Sequence, residues 1–244
     1  MRELNHSARL TAATLLALLL GAYLFSSDAN AEDGYQDISR INGRIEIQQG
    51  QLVGDVSTVN GRIHVEDGAS AGSVTTVNGG IELAREASVG AVETVNGDIR
   101  VGSGVIVDGD LNTVNGGIRI RENVIVEKSV RTVNGAINLD NGTTVADQVR
   151  TANGDISLVG SNVSGDLITR NGDISLRESS QVEGDIIIRD DHNWWNRFFR
   201  FGHRREPRLH IDSSSVVLGN IHLHRKVDLD IDDGARIGEI FRHY

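Results

Sequence analysis

The residues best suited to binding chemistry lie in one short aromatic and basic segment, residues 191–208. This segment holds both tryptophans and three of the five phenylalanines of a chain whose formal net charge is −10. Aromatic and arginine side chains are enriched at binding hot spots, and they also suit a lipid headgroup boundary. The sequence therefore predicts a partner-contact loop made of Trp194, Trp195, Arg197, Phe198, Phe199, Arg200, Arg204 and Arg205. Two alternatives stay open: a lid of aromatic side chains over one flank of the fold, and a small-ligand site that stacks sugar rings on tryptophan.

Histidines are the second group of residues that could do chemistry. Six of the eight follow residue 190, and His222 and His224 stand two apart, so they share one face of a strand. His210 is expected one coil below them, which would allow a metal site. The simpler interpretation is that outward-facing positions are polar. We expect neither a bound metal nor another cofactor.

Aspartates form partial rows after glycine and after Asn-Gly, at Asp55, Asp110, Asp166, Asp185, Asp98, Asp155 and Asp173. Calcium-binding repeat coils carry Gly-Gly-x-Gly-x-Asp, which is absent here. We expect these carboxylates to keep the surface soluble and to resist lateral addition of strands. The chain also lacks a nucleophile elbow, a His-Glu-x-x-His motif, a phosphate loop and cysteine. The sequence thus offers no catalytic residue and predicts a protein that is not an enzyme.

A strict internal repeat supplies the elements that must position these residues. An Asn-Gly pair recurs eight times at steps of 18 or 19 residues, at Asn42, Asn60, Asn78, Asn96, Asn115, Asn134, Asn153 and Asn171. Apolar residues follow three and five positions later with a polar residue between them, as in Ile99-Arg100-Val101. A fixed period indicates stacked copies of one unit. The alternation of β-branched residues with period two indicates strands with one buried face.

We interpret the Asn-Gly pair as a corner of a coil rather than as an antiparallel hairpin, because the apolar positions coincide from unit to unit. The glycine is expected to adopt a positive φ, and the asparagine side chains are expected to stack and bond each other's amides. A second row of glycines and a short apolar contact (Leu52, Val89, Val107 and their equivalents) predict three short strands per coil. The predicted fold is all-β, a parallel β-helix or β-solenoid of about ten 18–19-residue coils with one long loop insertion, 191–208.

Residues 1–31 form a separate segment before the repeat. An apolar run, Leu10 to Phe25, is followed by Ala29-Asn30-Ala31, which offers small residues at a signal-peptidase site. We expect a secretory signal peptide cut after Ala31, a periplasmic, cell-surface or secreted location, and a single β-solenoid domain at 32–244; an uncleaved anchor is the alternative. The acidic charge disfavours nucleic acid. The expected partner of the loop is an envelope component, namely a protein, a glycan or a membrane surface.

The two ends of the solenoid carry a separate prediction. A solenoid must cap its terminal coils or it stacks on another copy. Residues 32–39 show no repeat signature and are expected to cap the first coil, whereas the chain stops in mid-coil at Phe241-Arg242-His243-Tyr244. Any homo-oligomer is therefore expected to form through the solenoid ends, and at the C-terminal end first.

The unit Thr94-Val95-Asn96-Gly97-Asp98-Ile99-Arg100-Val101 resembles the bacterial adhesin β-strand-repeat family, a family of unknown function, over residues 38 to 190. The Gly-x-Ile rhythm is similar, more distantly, to bactofilins, which are β-helices that polymerise end to end. The resemblance implies a β-solenoid and no catalytic residue. With the signal peptide it implies an exported, non-enzymatic binding or scaffolding rod of the cell envelope. The alternatives are a self-polymerising bactofilin-like scaffold and a carbohydrate-active β-helix enzyme.

Overall fold

The protein folds as a parallel β-solenoid in which the strands of each coil belong to three different sheets. The computed structural model describes residues 35–190 and 206–244. Among these residues there is no helix, and so none long and apolar enough to cross a membrane. Each strand pairs with the equivalent strands one coil below and one coil above.

The three sheets are named A, B and C in the order in which the chain enters them. Sheet A has 11 strands: β1 (Ile38–Asn42), β3 (Val56–Asn60), β6 (Val74–Asn78), β9 (Val92–Asn96), β12 (Leu111–Asn115), β15 (Val130–Arg131), β18 (Val149–Arg150), β21 (Leu167–Thr169), β24 (Ile186–Ile188), β27 (Ile221–Leu223) and β29 (Ile240–Arg242). Sheet B has 10 strands: β2 (Ile45–Ile47), β4 (Ile63–Val65), β7 (Ile81–Leu83), β10 (Ile99–Val101), β13 (Ile118–Ile120), β16 (Ile137–Leu139), β19 (Ile156–Val159), β22 (Ile174–Arg177), β25 (Arg208–Ile211) and β28 (Asp228–Ile231). Sheet C has 8 strands: β5 (Ser70–Ala71), β8 (Ser88–Val89), β11 (Ile106–Val107), β14 (Ile125–Val126), β17 (Thr144–Val145), β20 (Asn162–Val163), β23 (Gln181–Val182) and β26 (Val216–Val217). The predicted fold, about ten coils with three strands in each, is confirmed.

The core consists of columns of like side chains that run along the solenoid. Ile99 is in register with Ile81 on one side and with Ile118 on the other, and all three side chains are buried. Because each inward position repeats the same kind of side chain, every coil offers its neighbours the same shape to pack against. One inward column escaped the sequence analysis. It lies in the turn before sheet C and contains Ala69, Ala87, Val105, Val124, Thr143, Ser161, Ser180 and Ser215.

One predicted core position is wrong. Leu52 is 56% exposed, whereas the next residue, Val53, is buried. A β-bridge joins Leu52 to Ser70, which places Leu52 in the outward column of sheet C. Side chains alternate between the two faces of a strand, so Val53 takes the inward position. The sequence prediction is therefore shifted by one residue in this coil.

The glycines of the Asn-Gly pairs are required by close packing, which corrects the expectation that they adopt a positive φ. Of the eight, only Gly43 has one, at 106°. At the other seven an added Cβ would overlap the carbonyl oxygen of the glycine one coil below, as at Gly116 above Gly97. The second row of glycines follows the same rule, since a Cβ on Gly165 would lie 2.6 Å from the carbonyl carbon of Asp147.

Two side-chain ladders run beside this corner. Each asparagine amide donates to the side-chain oxygen of the asparagine one coil below, over 2.8 to 3.0 Å, from Asn60 up to Asn171. This confirms the predicted amide stack. The buried threonine two residues earlier donates to the glycine carbonyl of the preceding coil, as Thr113 does to Gly97 over 2.9 Å. The Thr58 hydroxyl has no hydrogen-bond partner among the residues that the structure describes, and the corner below it is the one that contains Gly43 with its positive φ.

The prediction that residues 32–39 cap the first coil is wrong for the described part of that segment. Ile38 pairs with Val56 and begins β1, and the Asp37 carboxylate accepts a hydrogen bond from the Asp55 amide over 2.8 Å. Residues 37–39 are therefore part of the first coil. Both ends of sheet A instead carry an exposed arginine, Arg40 and Arg242, in the inward column that holds threonine, isoleucine or leucine elsewhere.

The glycine stack can be tested with two neighbouring substitutions. Gly116→Ala places a methyl group on the Gly97 carbonyl oxygen, so the coils must separate locally. We expect a loss of about 1–3 kcal/mol of unfolding free energy or more, measured as a lower Tm. Gly117→Ala is the control, because its Cβ would lie 3.2 Å from the Ala136 carbonyl oxygen and Ala136 already holds that place in the next coil. Equal losses in the two variants would contradict the close-packing explanation.

Candidate functional site

The segment predicted to contact a partner replaces one Asn-Gly corner. It leaves β24 of sheet A after Asp190 and returns to β25 of sheet B at Arg208, and both strands stay in register with the coil below. Trp194, Trp195, Arg197, Phe198, Phe199, Arg200, Arg204 and Arg205 lie outside the described residues, so their contact role stays a prediction. On the far side of the segment Pro207 is buried, and Arg208 is the first residue of β25.

Arg225 closes the asparagine ladder at the base of this segment. The next coil holds Asp190 where the ladder would need another asparagine, and a carboxylate has no N–H to donate. Arg225 supplies the missing donor from its Nη1 atom, 2.9 Å from Asn171 Oδ1 and 3.3 Å from the Arg170 carbonyl oxygen. The corner where the repeat is interrupted is thus completed by a positive charge.

A group of arginines covers the outer face of sheet A next to the same corner. Arg131 and Arg150 are in register on β15 and β18, and Arg170 and Arg189 follow β21 and β24. Partial burial lowers the pKa of Arg150, and repulsion from Arg189, Arg170 and Arg131 lowers it further. Arg131 is balanced by Asp110 and Asp147, at 3.5 and 3.9 Å. We call Arg131, Arg150, Arg170 and Arg189 the basic patch; it concentrates positive charge in a protein of net charge −10.

A shallow groove crosses the outer face of sheet B. Its volume is about 370 Å³, and it is lined by Arg119, Arg121, Asn138, Leu139, Asp140, Ser157, Val159 and Arg177. The single carboxylate of this lining, Asp140, lies 3.8 Å from Arg121. A β-helix enzyme that cleaves glycans is expected to bring carboxylates together on consecutive coils. The lining of this groove suits an anion rather than acid–base catalysis.

The histidines do not form the cluster that the sequence suggests. His222 and His224 do share the outer face of sheet A, but His210 lies on sheet B, in register with Ser175 and Asp230. The prediction that His210 lies one coil below His222 is therefore wrong. Twelve residues are only two thirds of an 18-residue coil, so the chain reaches a different face. His222 and His224 are stacked with His243, at 5.5 and 4.5 Å between ring centroids.

The rows of aspartates have a structural role that the sequence analysis did not assign. Their carboxylates accept hydrogen bonds from backbone amides one coil above, as Asp55 does from Ser73 over 2.7 Å and Asp98 from Gly117 over 3.0 Å. The equivalent hydrogen bonds that backbone amides donate to Asp110, Asp155, Asp166, Asp173 and Asp185 are 2.7 to 3.1 Å long. Sequence signals for this role exist, since the aspartates recur immediately after corner glycines. They occupy corners at which strand pairing alone leaves an amide without an acceptor.

Comparison of the chain with protein-family models, with curated proteins and with solved structures finds no match. The function has to be argued from the basic patch, the groove and the interrupted corner.

The carboxyl of Asp212, directly after β25, predicts a pH dependence of stability. Burial raises the pKa of this carboxyl, but hydrogen bonds from Ser215, the Glu178 amide and Ser214 outweigh it and lower the pKa from 3.8 to about 2. A carboxyl whose pKa is depressed by folding stabilises the folded state above its unfolded pKa, and this contribution disappears as the pH falls through the folded pKa. Asp212 should therefore stabilise the solenoid above pH 4 and cease to do so between about pH 4 and pH 2.

We expect Asp212→Asn to lower the Tm at pH 6 and to reduce the fall in Tm between pH 4 and pH 2. Asp233→Asn is the control, because the Asp233 side chain is exposed and makes no hydrogen bond with the described residues. The Tm of the native protein and of the two variants, measured at several pH values, tests this expectation. The same acid response in Asp212→Asn as in the native protein would exclude Asp212 as the group responsible.

Proposed function

We propose that this protein is an exported, non-enzymatic rod of the cell envelope that binds an acidic surface through its interrupted corner. The observation that carries the proposal is the basic patch beside the point where the aromatic and basic segment 191–205 leaves the solenoid. Repulsion from Arg189, Arg170 and Arg131 acts on the Arg150 guanidinium. An acidic partner would relieve that repulsion.

The proposal gives the two parts of the site different tasks. The arginines of the patch and of the insertion (Arg197, Arg200, Arg204 and Arg205) supply long-range attraction, which falls as salt screens the charges. The aromatic side chains (Trp194, Trp195, Phe198 and Phe199) supply apolar anchoring, which salt does not screen. Arginine and aromatic side chains can both bind at the headgroup boundary of a membrane with anionic lipids. We therefore favour a membrane over a glycan or a protein as the partner. The solenoid then acts as a rigid support for this surface contact. Such a role agrees with the resemblance to the adhesin β-strand-repeat family.

The alternative of a self-polymerising scaffold is disfavoured by the ends of sheet A. Copies stacked end to end and in register would bring Arg242 of one copy against Arg40 of the next, in an inward column where neighbouring coils hold threonine or leucine. Inward-pointing charge is a recognised protection of strand edges. The enzyme alternative is disfavoured by the groove, where three arginines surround one carboxylate.

The surface contact is tested with vesicles. Replacement of residues 190–207 by Asn-Gly should leave the melting transition cooperative, since an Asn-Gly pair between Arg189 and Arg208 restores the spacing of the Asn171-Gly172 corner one coil below. We expect this variant to lose at least tenfold in affinity for vesicles of phosphatidylglycerol in a co-sedimentation assay. Binding of the native protein should weaken as NaCl rises but should not vanish, because the aromatic contribution is not screened.

A charge-matched pair of double variants separates the basic patch from net charge. Arg150→Gln with Arg189→Gln should weaken vesicle binding several-fold, whereas Arg44→Gln with Arg62→Gln, in the first two coils, should not. Equal losses in the two doubles would mean that binding follows net charge only. Retention on polygalacturonate beads with none on vesicles would replace the membrane by an acidic glycan. An unchanged affinity for vesicles and beads after loop replacement, with a much lower Tm, would identify the insertion as a lid and reject the proposal.

The end-protection argument is tested separately. We expect the protein without its signal segment to be monomeric in light scattering. Arg40→Thr combined with Arg242→Leu restores the residue types of the neighbouring coils, Thr58 and Leu223. This variant should form concentration-dependent larger species. A native protein that already forms filaments would favour the polymer alternative.

A further inference from the structure

We propose that His210, Asp230 and Asp232 form a zinc site that fastens the last strand of sheet B to the strand that follows the insertion. The proposal is independent of the surface contact above. It concerns the C-terminal edge of sheet B, where β28 pairs with β25 and with no strand of the described residues on its other side.

The three side chains converge from two neighbouring strands. His210 lies on β25 in register with Asp230 on β28, and Asp232 follows two residues later on the same outer face. One potential ligand atom from each residue lies within 4.8 Å of the other two, and His210 Nδ1 is already 3.0 Å from Asp230 Oδ2. Zinc holds nitrogen and oxygen ligands at about 2.0–2.2 Å in a tetrahedron, so its ligand atoms lie roughly 3.4 Å apart. Side-chain rotation on this open surface can close the remaining gap.

Apart from the His210–Asp230 contact, these carboxylates have no side-chain partner among the described residues, unlike others nearby. Asp212 accepts hydrogen bonds from Ser214, Ser215 and the Glu178 amide. Asp228 is paired with Arg208 over 3.0 Å. In contrast, Asp230 has His210 as its side-chain partner, and Asp232 has no side-chain partner within the described residues. A carboxylate paired with an imidazole, with a second carboxylate beside it, is a ligand set, whereas Asp212 and Asp228 are held by groups that cannot bind a metal.

The chemistry of the set favours zinc over the alkaline-earth ions. Calcium and magnesium prefer shells made only of oxygen, and an imidazole is a poor replacement in such a shell. One imidazole with two carboxylates suits zinc, and three protein ligands leave a fourth position for water or for a group from a partner. The site lies on the exposed outer face, so an ion can enter without any movement of the backbone.

Two other histidine groups have similar composition but the wrong geometry. His64 also has two acidic neighbours, but Glu66 approaches Nε2 at 3.2 Å and Glu82 approaches Nδ1 at 3.6 Å, so the carboxylates sit on different ring nitrogens. His222, His224 and His243 are stacked, with interplanar angles of 15° to 17° between His243 and its two neighbours. His222 Nδ1 and His243 Nε2 lie 3.2 Å apart, but the Asp185 carboxylate faces the other nitrogen of His222, Nε2, at 3.5 Å. Three ligand atoms from three residues therefore do not meet at one point in this group, as they do at His210. Convergence distinguishes the His210 group from both.

A bound ion would act where the core is weakest. Leu229 and Ile231, the inward residues of β28, are only partly buried, whereas Leu209 and Ile211 on β25 are fully buried. The terminal strand therefore gains less from apolar packing than the strands inside the stack. A metal bridge from His210 on β25 to Asp230 on β28 and to Asp232, directly after β28, would add a link across this weak pair.

Zinc titration of the metal-free full-length protein tests the proposal, with isothermal calorimetry and thermal melting as readouts. We expect one zinc ion per chain at this site, a Tm that rises with zinc and saturates, and no rise with calcium or magnesium. His210→Ala should weaken zinc binding at least tenfold, and Asp232→Asn should weaken it several-fold without loss of the His210–Asp230 pair. His64→Ala is the matched control in the same outward column of sheet B, and its zinc affinity should equal that of the native protein.

The test also distinguishes the other outcomes. Zinc binding that survives His210→Ala and Asp232→Asn, but is lost on His243→Ala, would place the ion at the stacked histidines and overturn the proposal. Equal losses in His64→Ala and His210→Ala would show non-specific binding to surface histidines. Absence of any saturable zinc binding would leave the aspartates of β28 as charges that protect an edge strand only, which also overturns the proposal.

Discussion

The coil-to-coil spacing of a parallel sheet is the constraint on which the rest of this molecule depends. Hydrogen-bonded strands lie about 4.8 Å apart, and at a tight corner the whole backbone must repeat at that spacing. At the corner from sheet A to sheet B there is then no room for a Cβ atom, because the glycine carbonyl of the preceding coil occupies the space. Only glycine therefore fits at the position after the asparagine in successive coils. The same carbonyl oxygen accepts a hydrogen bond from the hydroxyl of a buried threonine. The Thr-x-Asn-Gly unit is therefore needed for the packing of one coil on the next, and not only for the turn.

A stack of this kind must also satisfy the polar groups at its corners, and it does so with side chains from adjacent coils. Asparagine is suited to the ladder because its amide is both donor and acceptor, so identical residues can bond in series. Aspartate only accepts, and it is found where a backbone amide of the next coil needs an acceptor, as at Ser73 and Gly117. At residue 190 the chain has aspartate in the asparagine row, and Arg225 becomes the donor. The residue types at each corner therefore follow from the balance of donors and acceptors there.

The repetitive columns could be predicted from the sequence because the same residue type recurs at the same position of many units. Ile99 alone would be ambiguous, but isoleucine at the same place in eight units indicates an inward position. The column of Val105 and Val124 could not be predicted in this way, because Thr143 and Ser161 continue it and the apolar pattern is lost. The error at Leu52 has the opposite cause, since Leu52 and Val53 are both apolar and only the bridge to Ser70 decides between them.

His210 was misplaced because a linear spacing does not say which of three faces the chain has reached. The site residues of the insertion follow from composition alone. The basic patch was not predicted because its arginines are divided between two neighbouring columns, Arg131 and Arg150 in one and Arg170 and Arg189 in the other, so neither column repeats arginine more than twice.

A solenoid of equivalent coils carries no positional information in its repeating residues, so a site must lie where a column changes. On the outer face of sheet A the column that holds serine, threonine, glutamate and asparagine in the early coils changes to Arg131 and Arg150. The neighbouring column changes from valine and alanine to Arg170 and Arg189 in the two coils that follow. The asparagine row ends at Arg225, the insertion replaces a corner, and His210 with Asp230 enters the outward column of sheet B, all within the last coils. None of these changes improves the core, whose inward columns continue through Ile188, Leu209, Ile211 and Leu223. A core that continues unchanged beneath a surface that changes in several columns at once indicates that the surface, not the fold, required those residues.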